Sequence, residues 1–260
     1  MARHDNLFDL SGKTALVTGG SRGLGLQMAE ALGSQGAKLM LSARKADELQ
    51  QAQAHLQGLG YEAHVFAADA SKEADIVALA DAALERLGRV DILINNAGAS
   101  WGAPAEDYPV EAWDKVFNLN IRGLFLLTQQ IGRRSMIPRR YGRIVNIASI
   151  AGLRGNPPGA MNTIAYNSSK GALVNFTRAL AGEWGRHAIT VNALAPGFFP
   201  SKMSNVLIKT LGEEALIGNS PLQRLGDDED LKGATLLFAS DAGKHITGQV
   251  LAVDGGYSAV

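Results

Sequence analysis

The strongest constraint on the fold of this chain is a repeated alternation of short apolar runs with segments of helical periodicity. The seven runs are rich in β-branched residues and lie at 14–18, 38–42, 63–67, 92–95, 143–148, 189–194 and 250–253. Strands that are covered by helices on both faces need such nearly continuous apolar runs. The alternation predicts right-handed crossovers and an α/β fold, a doubly wound parallel seven-stranded sheet with helices on both faces.

One of the intervening helices is well marked and is predicted over 71–87. Ser71 stands where a capping side chain belongs, and Glu73 and Asp75 suit the positive end of a helix. Apolar residues recur on one face at 76, 79, 80, 83, 84 and 87, and Gly88 supplies a C-terminal stop. Such a helix has one face that can cover the sheet.

The composition indicates a folded protein whose partners are not selected by charge. Of 260 residues, 46% are apolar, and no linker, repeat or low-complexity segment interrupts them, so we expect one domain over 1–260. The 25 basic and 25 acidic residues cancel, which excludes charge-driven binding to nucleic acid or a membrane. No leader-like or membrane-length apolar run is visible, and we expect a soluble, cytoplasmic protein.

Thiol and metal chemistry are also disfavoured. The chain has no cysteine, which excludes disulfides, thiolate catalysis and cysteine-ligated metal centres. Its five histidines, at positions 4, 55, 64, 187 and 245, lack the spacing of metal ligands. We therefore predict no metal site.

A glycine-rich turn follows the first strand and leads into the first helix. Gly19, Gly23 and Gly25 have the spacing Gly-x-x-x-Gly-x-Gly, a variant of the dinucleotide-binding fingerprint. Such glycines let the backbone approach a pyrophosphate, and the free N–H groups of the helix N-terminus favour its negative charge. A tight turn with no ligand is the alternative. The flanking strand and helix favour the dinucleotide.

The end of the second strand distinguishes the two nicotinamide dinucleotides. A carboxylate about 20 residues beyond the turn would bind the ribose 2′-hydroxyl of NAD, but residues 41–45 contain none. Arg44 instead suits a 2′-phosphate, and Arg22 in the turn could reach the same group. We therefore predict a preference for NADP(H), with NAD(H) as the alternative. The competing interpretation treats Arg44 and Lys45 as ordinary surface charges.

Further motifs occur in a fixed order beyond the fourth strand. They are Asn95-Asn96-Ala97-Gly98, Asn120, Ser149, Tyr166-x-x-x-Lys170, Pro196-Gly197 and Asp254-Gly255-Gly256. Together with the glycine-rich turn, this pattern resembles the short-chain dehydrogenase/reductase family over essentially the whole chain. The resemblance implies a Rossmann-type fold, with a cofactor-binding half at about 11–150 and a catalytic and substrate-binding part at about 149–260.

Tyr166 and Lys170 carry the predicted proton chemistry. They are four residues apart, so on a helix their side chains share a face. A tyrosine with a pKa of ~10 is a poor acid or base at neutral pH, but a neighbouring ammonium and an oxidised nicotinamide ring both favour the phenolate and lower that pKa. We predict that Tyr166 exchanges a proton with the substrate oxygen, that Ser149 binds that oxygen, and that Lys170 also positions the nicotinamide ribose. A surface Tyr/Lys pair is the alternative.

The resemblance implies roles for other residues. Asn120 would anchor a water in a proton relay to Lys170, Asp69 would meet the adenine, and 196–201 would pack against the nicotinamide. Asp69 as a helix cap and Pro196-Gly197 as a simple turn are the alternatives. The full set of predicted cofactor-binding residues is Gly19, Ser21, Arg22, Gly23, Leu24, Gly25, Arg44, Asp69, Ala70, Asn96, Ala97, Gly98, Tyr166, Lys170, Pro196, Gly197, Phe199 and Ser201.

The chain departs from the family pattern between Ser149 and Tyr166. The two residues are 166 − 149 = 17 positions apart, a few more than is usual in the family, because 153–163 contains an extra stretch. We expect this insert to bulge outward and shape the rim of the site. Ser168 is a less well placed alternative to Ser149.

The predicted substrate-facing residues are largely apolar. They are Trp101, Leu153, Met161, Phe198 and Met203, from loops beyond the carboxyl ends of the strands. They favour a small-molecule ketone or secondary alcohol with a sizeable apolar part, although Trp101 and Met203 suit core or subunit contacts as well. A helical pattern at 203–217, with Gly212 and Gly218 as hinges, is compatible with a mobile lid.

Three functions follow from these observations. The first is NADP(H)-dependent interconversion of a ketone and an alcohol, and the sequence is similar to 3-oxoacyl reductases, including those of rhamnolipid synthesis. The second is a sugar-acid or polyol dehydrogenase of the gluconate 5-dehydrogenase kind. The third is a catalytically idle, cofactor-binding regulator, which the intact Ser149, Tyr166 and Lys170 disfavour. The family resemblance also implies a homotetramer or homodimer.

Overall fold

The seven apolar runs form the strands of one parallel sheet. The computed structural model describes residues 6–156, 161–201, 208 and 212–260. The strands are β1 (Thr14–Thr18), β2 (Lys38–Ala43), β3 (Ala63–Ala67), β4 (Ile92–Asn95), β5 (Gly142–Ile147), β6 (Ile189–Pro196) and β7 (Val250–Val253), in the order β3-β2-β1-β4-β5-β6-β7. All six neighbouring pairs are parallel. The predicted doubly wound sheet is confirmed, with β6 two residues longer than its apolar run.

Helices connect the strands, as the alternation predicts. They are α1 (Gly23–Ser34), α2 (Ala46–Gly58), α3 (Glu73–Leu87), α4 (Val110–Phe117), α5 (Leu124–Ile131), α6 (Ile137–Arg139), α7 (Ile164–Trp184), α8 (Glu213–Ile217) and α9 (Lys232–Ala239). Two π-helical segments, Asn118–Gly123 and Gly132–Met136, join α4, α5 and α6 into one continuous helical rod. Of the predicted helix at 203–217, α8 forms the end, and 203–207 and 209–211 lie outside the described residues.

Two apolar cores lie on opposite faces of the sheet. Leu16 belongs to one core and Val17 to the other, and Leu93 and Ile94 divide in the same way. Successive side chains of a strand point to opposite faces, so an uninterrupted apolar run supplies both cores at once. This division explains why the strands do not show alternating polarity.

The strand order creates a crevice at the middle of the sheet. The chain runs from β1 through β2 to β3 on one side, and then returns to β4 beside β1 and continues to the other side. In such sheets ligands bind outside the carboxyl ends of the strands where the order reverses. That place here lies beyond Thr18 of β1 and Asn95 of β4.

The start of α3 differs from the prediction. The helix begins at Glu73, and Lys72 precedes it without a capping side chain. Ser71 is not the cap, because its hydroxyl donates a hydrogen bond of 2.7 Å to Asp69 Oδ1. The predicted stop at Gly88 is correct, since this residue has a φ of 74°. Among the described residues, every helix falls short of the length and apolar character that a bilayer crossing requires.

Candidate active site

The predicted site residues gather along the carboxyl edge of the sheet. On the side of β1 to β3, Ser21 and Leu24 lie with the glycines of the β1–α1 turn, Arg44 follows β2, and Asp69 and Ala70 follow β3. On the other side, Asn96, Ala97 and Gly98 follow β4, and Ser149 follows β5. Gly197, Phe199 and Ser201 follow Pro196 at the end of β6. Asn120 comes from the π-helical segment after α4, and Tyr166 and Lys170 come from α7. Met203 lies outside the described residues.

Hydrogen bonds to β4 hold the glycine-rich turn. The Asn96 side-chain amide donates to the carbonyl oxygens of Thr18 and Gly19, each at 3.0 Å. The Thr18 hydroxyl accepts in return from the backbone N–H groups of Asn96 (3.0 Å) and Ala97 (3.1 Å). The side chain of Asn96, one of the predicted cofactor-binding residues, therefore shapes the turn.

Two of the glycines of this turn, Gly25 and Gly23, have different roles. A Cβ at Gly25 would lie 2.2 Å from the Gly19 carbonyl oxygen, so this glycine permits the close approach of α1 to the turn. Gly23 has a φ of +51° and nothing within 4 Å of its Cβ position, so its surface is open. Helix α1 begins there, and no side chain caps its first N–H groups. An open, positively polarised cradle of this kind fits the pyrophosphate of a dinucleotide.

The cations beside this turn are not equivalent. Arg22 and Lys45 both bind the Glu48 carboxylate, at 2.6 Å and 3.0 Å. The hydrogen bond from Lys45, with the charges of both cations, lowers the pKa of Glu48 despite partial desolvation. Arg44 is exposed and makes no hydrogen bond or ion pair within the described part of the chain. It is therefore the cation whose guanidinium is open to a ligand.

Asp69 forms a local turn rather than the cap of α3. Its Oδ1 accepts hydrogen bonds from the backbone and the hydroxyl of Ser71, and its own N–H donates to Asp75. Burial works to raise the pKa of Asp69, but the bonds from Ser71 and the nearby charge of Arg44 lower it. Asp69 and Arg44 consequently lie at the same end of the crevice.

Tyr166 and Lys170 share one face of α7, as their spacing predicts. Lys170 is 5% exposed, and its Nζ donates a hydrogen bond of 2.6 Å to the carbonyl oxygen of Ile147 at the end of β5. The same Nζ lies 5.6 Å from the centroid of the Tyr166 ring. Ser149 also interacts with the Tyr166 hydroxyl and lowers its pKa. The three candidate catalytic side chains therefore meet at one place.

A close backbone contact brings Ser149 to α7. The Ser149 hydroxyl accepts from the Ala151 N–H at 3.1 Å and starts the short 3-10 turn Ile150–Gly152. A Cβ at Gly152 would lie 2.5 Å from the Lys170 carbonyl carbon, so only glycine lets this turn rest on the helix. Sequence reasoning missed Gly152, because its partner is 18 residues away along the chain.

Burial sets the pKa values of this pair. It raises the pKa of Tyr166, against a smaller lowering by the hydrogen bond with Ser149. It lowers the pKa of Lys170 to about 8, because the charged ammonium loses its hydration. The expected lowering of the Tyr166 pKa by the Lys170 ammonium and an oxidised nicotinamide concerns the site with cofactor bound. In the protein chain by itself, burial is the larger effect and raises this pKa.

The Lys170 pKa predicts an unusual pH dependence of stability. Between pH 8 and the ordinary lysine value of 10.5, the unfolded chain binds more protons than the folded one, so the free energy of unfolding rises with pH. We expect wild type to gain up to about 3 kcal/mol over this range relative to Lys170→Met, measured by chemical denaturation. The exposed Lys244→Met is the control and should parallel wild type. Parallel curves for Lys170→Met and wild type would contradict the prediction.

A π-helical segment turns Asn120 toward this centre. Its Oδ1 accepts from the Ala99 N–H at 2.8 Å, and its Nδ2 donates to the Ala99 carbonyl and to Ser169 Oγ, both at 2.9 Å. Asn120 Oδ1 and Lys170 Nζ both lie within 4 Å of the Cβ position of Gly98. Gly98 therefore leaves open the space between them. Ser169, which is fully buried and donates to the Tyr166 carbonyl, was missed by sequence reasoning.

A second polar network supports the same edge and was also missed. Asn95 Nδ2 donates to Thr128 (3.0 Å) and to Asn146 Oδ1 (2.9 Å), and Asn146 Nδ2 donates to Thr177 (3.0 Å). All four side chains are buried. Two asparagines at the ends of apolar strands were the available signal, since buried amides need partners.

The predicted substrate-facing residues have different surroundings. Trp101 and Leu153 are 47% and 41% exposed, and Met161 is partly buried. The Phe198 ring packs edge-on against Tyr257 at 5.3 Å, beside a largely apolar cavity of about 440 Å³. Phe199, one of the predicted cofactor-binding residues, has its side chain buried in the core against Gly226.

The comparison with known proteins establishes the family. The model of the short chain dehydrogenase family matches residues 13–211. The chain belongs to this family. It is 40% identical over 257 residues to gluconate 5-dehydrogenase of Gluconobacter oxydans strain 621H, covering 97% of each chain. It is 39% identical to the rhamnolipids biosynthesis 3-oxoacyl-[acyl-carrier-protein] reductase of Pseudomonas aeruginosa PAO1, covering 96% of this chain and 98% of that one.

A solved structure shows the same fold with a cofactor bound. The gluconate 5-dehydrogenase of Burkholderia cenocepacia J2315, in complex with NADP and tartrate, superimposes with a TM-score of 0.92 at 31% identity, covering 98% of each chain. The present short-chain dehydrogenase is thus an oxidoreductase that acts on CH–OH groups with a nicotinamide cofactor. Within the described residues, no three His, Cys, Asp or Glu side chains cluster to hold a metal ion.

Proposed function

We propose that this short-chain dehydrogenase interconverts a ketone carrying a sizeable apolar part and the corresponding secondary alcohol, with NADP(H) as cofactor. The observation that carries the proposal is the convergence of Ser149, Tyr166 and the buried Lys170 beside an open glycine-rich turn. The nicotinamide supplies a hydride to the carbonyl carbon when it is bound, or accepts one in the reverse reaction. The chain must then manage one proton.

The proton passes between Tyr166 and the substrate oxygen. In reduction, the Tyr166 hydroxyl gives its proton to the carbonyl oxygen, while Ser149 donates a hydrogen bond to the same oxygen. In oxidation, the Tyr166 oxygen takes the alcohol proton. The Lys170 ammonium stabilises the phenolate that reduction leaves, and its bond to the Ile147 carbonyl holds it beneath the ring. Asn120 and Ser169 hold the neighbouring backbone in place.

The preference for NADP(H) rests on Arg44. Replacing Arg44 by Ala should raise the Kd of NADPH about 10- to 100-fold and leave the Kd of NADH unchanged, because only NADPH offers a 2′-phosphate to the guanidinium. Fluorescence titration of both cofactors measures the difference. Lys45→Ala is the matched control, since Glu48 already binds Lys45, and its effect should be small. An unchanged preference in Arg44→Ala would remove Arg44 from the proposal.

Exposed apolar side chains support a substrate of the 3-oxoacyl type. Trp101 and Leu153 expose large apolar surfaces on the loops that follow β4 and β5, and Phe198, which follows β6, lines a largely apolar cavity. A sugar acid is the second candidate, because gluconate 5-dehydrogenases stand among the relatives in both sequence and structure. An idle, cofactor-binding protein is the third.

A substrate panel separates these functions. 3-Oxoacyl thioesters, bulky ketones and 5-keto sugar acids are offered with NADPH, and the loss of its absorbance is followed. Turnover that is fastest for thioesters with long acyl chains supports the main proposal. Turnover confined to sugar acids supports the second candidate, and tight NADPH binding without any turnover supports the third.

A further inference from the structure

The side-chain amide of Asn156 joins the two described ends of the insert between Ser149 and Tyr166. Asn156 is partly buried, and its Nδ2 donates to the Met161 carbonyl at 2.5 Å and to Thr163 Oγ1 at 3.1 Å. These bonds join the two ends of the insert that the structure describes. Asn156 is therefore bonded directly to Met161 and Thr163, on the far side of residues 157–160.

The same amide is tied to α7. Thr163 Oγ1 donates to Asn167 Oδ1 at 2.8 Å, and Asn167 Nδ2 donates to Asn156 Oδ1 at 3.1 Å. Asn156, Thr163 and Asn167, which we call the Asn156 clamp, thus form a closed ring of hydrogen bonds. Asn167 directly follows Tyr166, so the clamp fixes the insert relative to the reacting hydroxyl.

The insert in turn holds the loop between β4 and α4. The Ala103 N–H donates to the Asn162 carbonyl at 2.9 Å, and Tyr108 Oη donates to the Trp101 carbonyl at 3.1 Å. Trp101 and Met161, two of the predicted substrate-facing residues, therefore belong to loops that are bonded to each other. A displacement of the insert would move both.

We propose that the Asn156 clamp holds Trp101 and Met161 in place as a preformed apolar wall for the non-reacting part of the substrate. Asn156 is then a positioning residue that favours substrates with long acyl chains. The inference rests on the proposed function. A loop that is ordered before binding avoids the entropy cost of ordering it around the substrate. Contacts remote from the reacting carbonyl bind ground state and transition state alike, so their loss raises KM more than it lowers kcat.

The first test measures the loop itself and needs no substrate. Hydrogen–deuterium exchange of 99–108 should be faster in Asn156→Ala than in wild type, although this segment is about 50 residues away along the chain. Asn162→Ala is the matched control, because Asn162 contributes its backbone carbonyl and its side chain is exposed. If hydrogen–deuterium exchange of 99–108 is the same in Asn156→Ala and in wild type, the proposed effect of the clamp on this loop is wrong, whatever the substrate.

The second test compares N-acetylcysteamine thioesters of 3-oxobutanoate and 3-oxodecanoate. Asn156→Ala should raise KM for the long chain about 10-fold, with KM for the short chain, kcat for both and the Kd of NADPH near wild type. Asn156→Asp, which keeps the size and loses the donors, should behave similarly. Equal changes for the two chain lengths would overturn the selective role, as would a long-chain KM that stays at the wild-type value.

Two arms separate failure of this inference from failure of the proposed function. In one outcome, the wild type turns over neither thioester, but hydrogen–deuterium exchange of 99–108 is faster in Asn156→Ala. This outcome supports the clamp and rejects both the proposed substrate class and the selective role of Asn156. Thr163→Val removes one member of the clamp with little change in shape, and it replaces Asn156→Ala in both tests if that variant does not fold.

Discussion

Tyr166→Phe is expected to lower kcat by about 10²- to 10⁴-fold while the Kd of NADPH stays within about twofold of wild type. The substitution removes the proton that the carbonyl oxygen must receive and leaves the ring, its burial and the α7 backbone in place. Steady-state kinetics with the best carbonyl of the panel, together with an NADPH titration, measure the two effects. Full carbonyl reduction by a variant that binds NADPH normally would reject the proposed mechanism.

Tyr141→Phe is a suitable control for this variant. Tyr141 precedes β5, at the opposite end of the sheet from Tyr166, and its ring contacts the cations of Lys13 and Arg143. Loss of its hydroxyl should leave both kcat and NADPH binding unchanged. A decrease in kcat in both variants would instead indicate a general loss of structure.

The pH dependence of the reaction follows from the same group. Burial raises the pKa of Tyr166, so the protonated donor is the prevailing form at neutral pH. Reduction should therefore slow as the pH rises, beginning above the Lys170 pKa of about 8, where the ammonium that stabilises the phenolate is lost. Oxidation, which needs the phenolate, should accelerate as the pH approaches the raised pKa of Tyr166. The two pH profiles should lose this opposed dependence in Tyr166→Phe.

Gly23→Val is expected to raise the Kd of NADPH by about 100-fold or more. The valine would fill the open surface where α1 begins and keep a pyrophosphate from the free N–H groups. Each lost hydrogen bond to a charged group costs about 1.5–3 kcal/mol, and 1.4 kcal/mol corresponds to about tenfold. Fluorescence titration with NADPH measures the loss.

Gly88→Val controls for backbone strain in that variant. Gly23 and Gly88 both have positive φ, and both have nothing within 4 Å of the Cβ position. The two valines should therefore lower the Tm by similar amounts, while Gly88→Val keeps the NADPH affinity of wild type. Equal NADPH affinity in the two variants would contradict a pyrophosphate cradle at Gly23. Gly36 is a poorer control, because a Cβ there would also meet Ser11 at 2.9 Å.

Much of the fold could be predicted from the sequence, because the relevant information is local. A run such as Ile92–Asn95 is apolar at successive positions, and this pattern specifies a strand covered on both faces. The helix predicted over 71–87 and its glycine stop follow from periodicity within about 20 residues, although the helix begins two residues later, at Glu73. The Tyr166/Lys170 spacing likewise predicts a shared helix face without any knowledge of the rest of the chain.

The ion pairs of the site and the pKa values of its side chains depend on residues that are distant in the sequence. Arg22 and Arg44 are both basic residues near the cofactor turn, but Glu48 binds one and leaves the other open. The pKa of Tyr166 in the protein chain by itself is raised by burial, and the depth of that burial does not follow from the Tyr166/Lys170 spacing.

The sequence by itself thus determined the parallel sheet and the shared helix face of Tyr166 and Lys170, since periodicity and spacing act over short stretches of chain. Only the tertiary structure decided which cations stay open, how burial shifts the pKa values, and that Asn156 closes the insert onto α7. Hydration and hydrogen-bond partners are properties of the packed molecule, because they depend on which distant segments exclude water from a group.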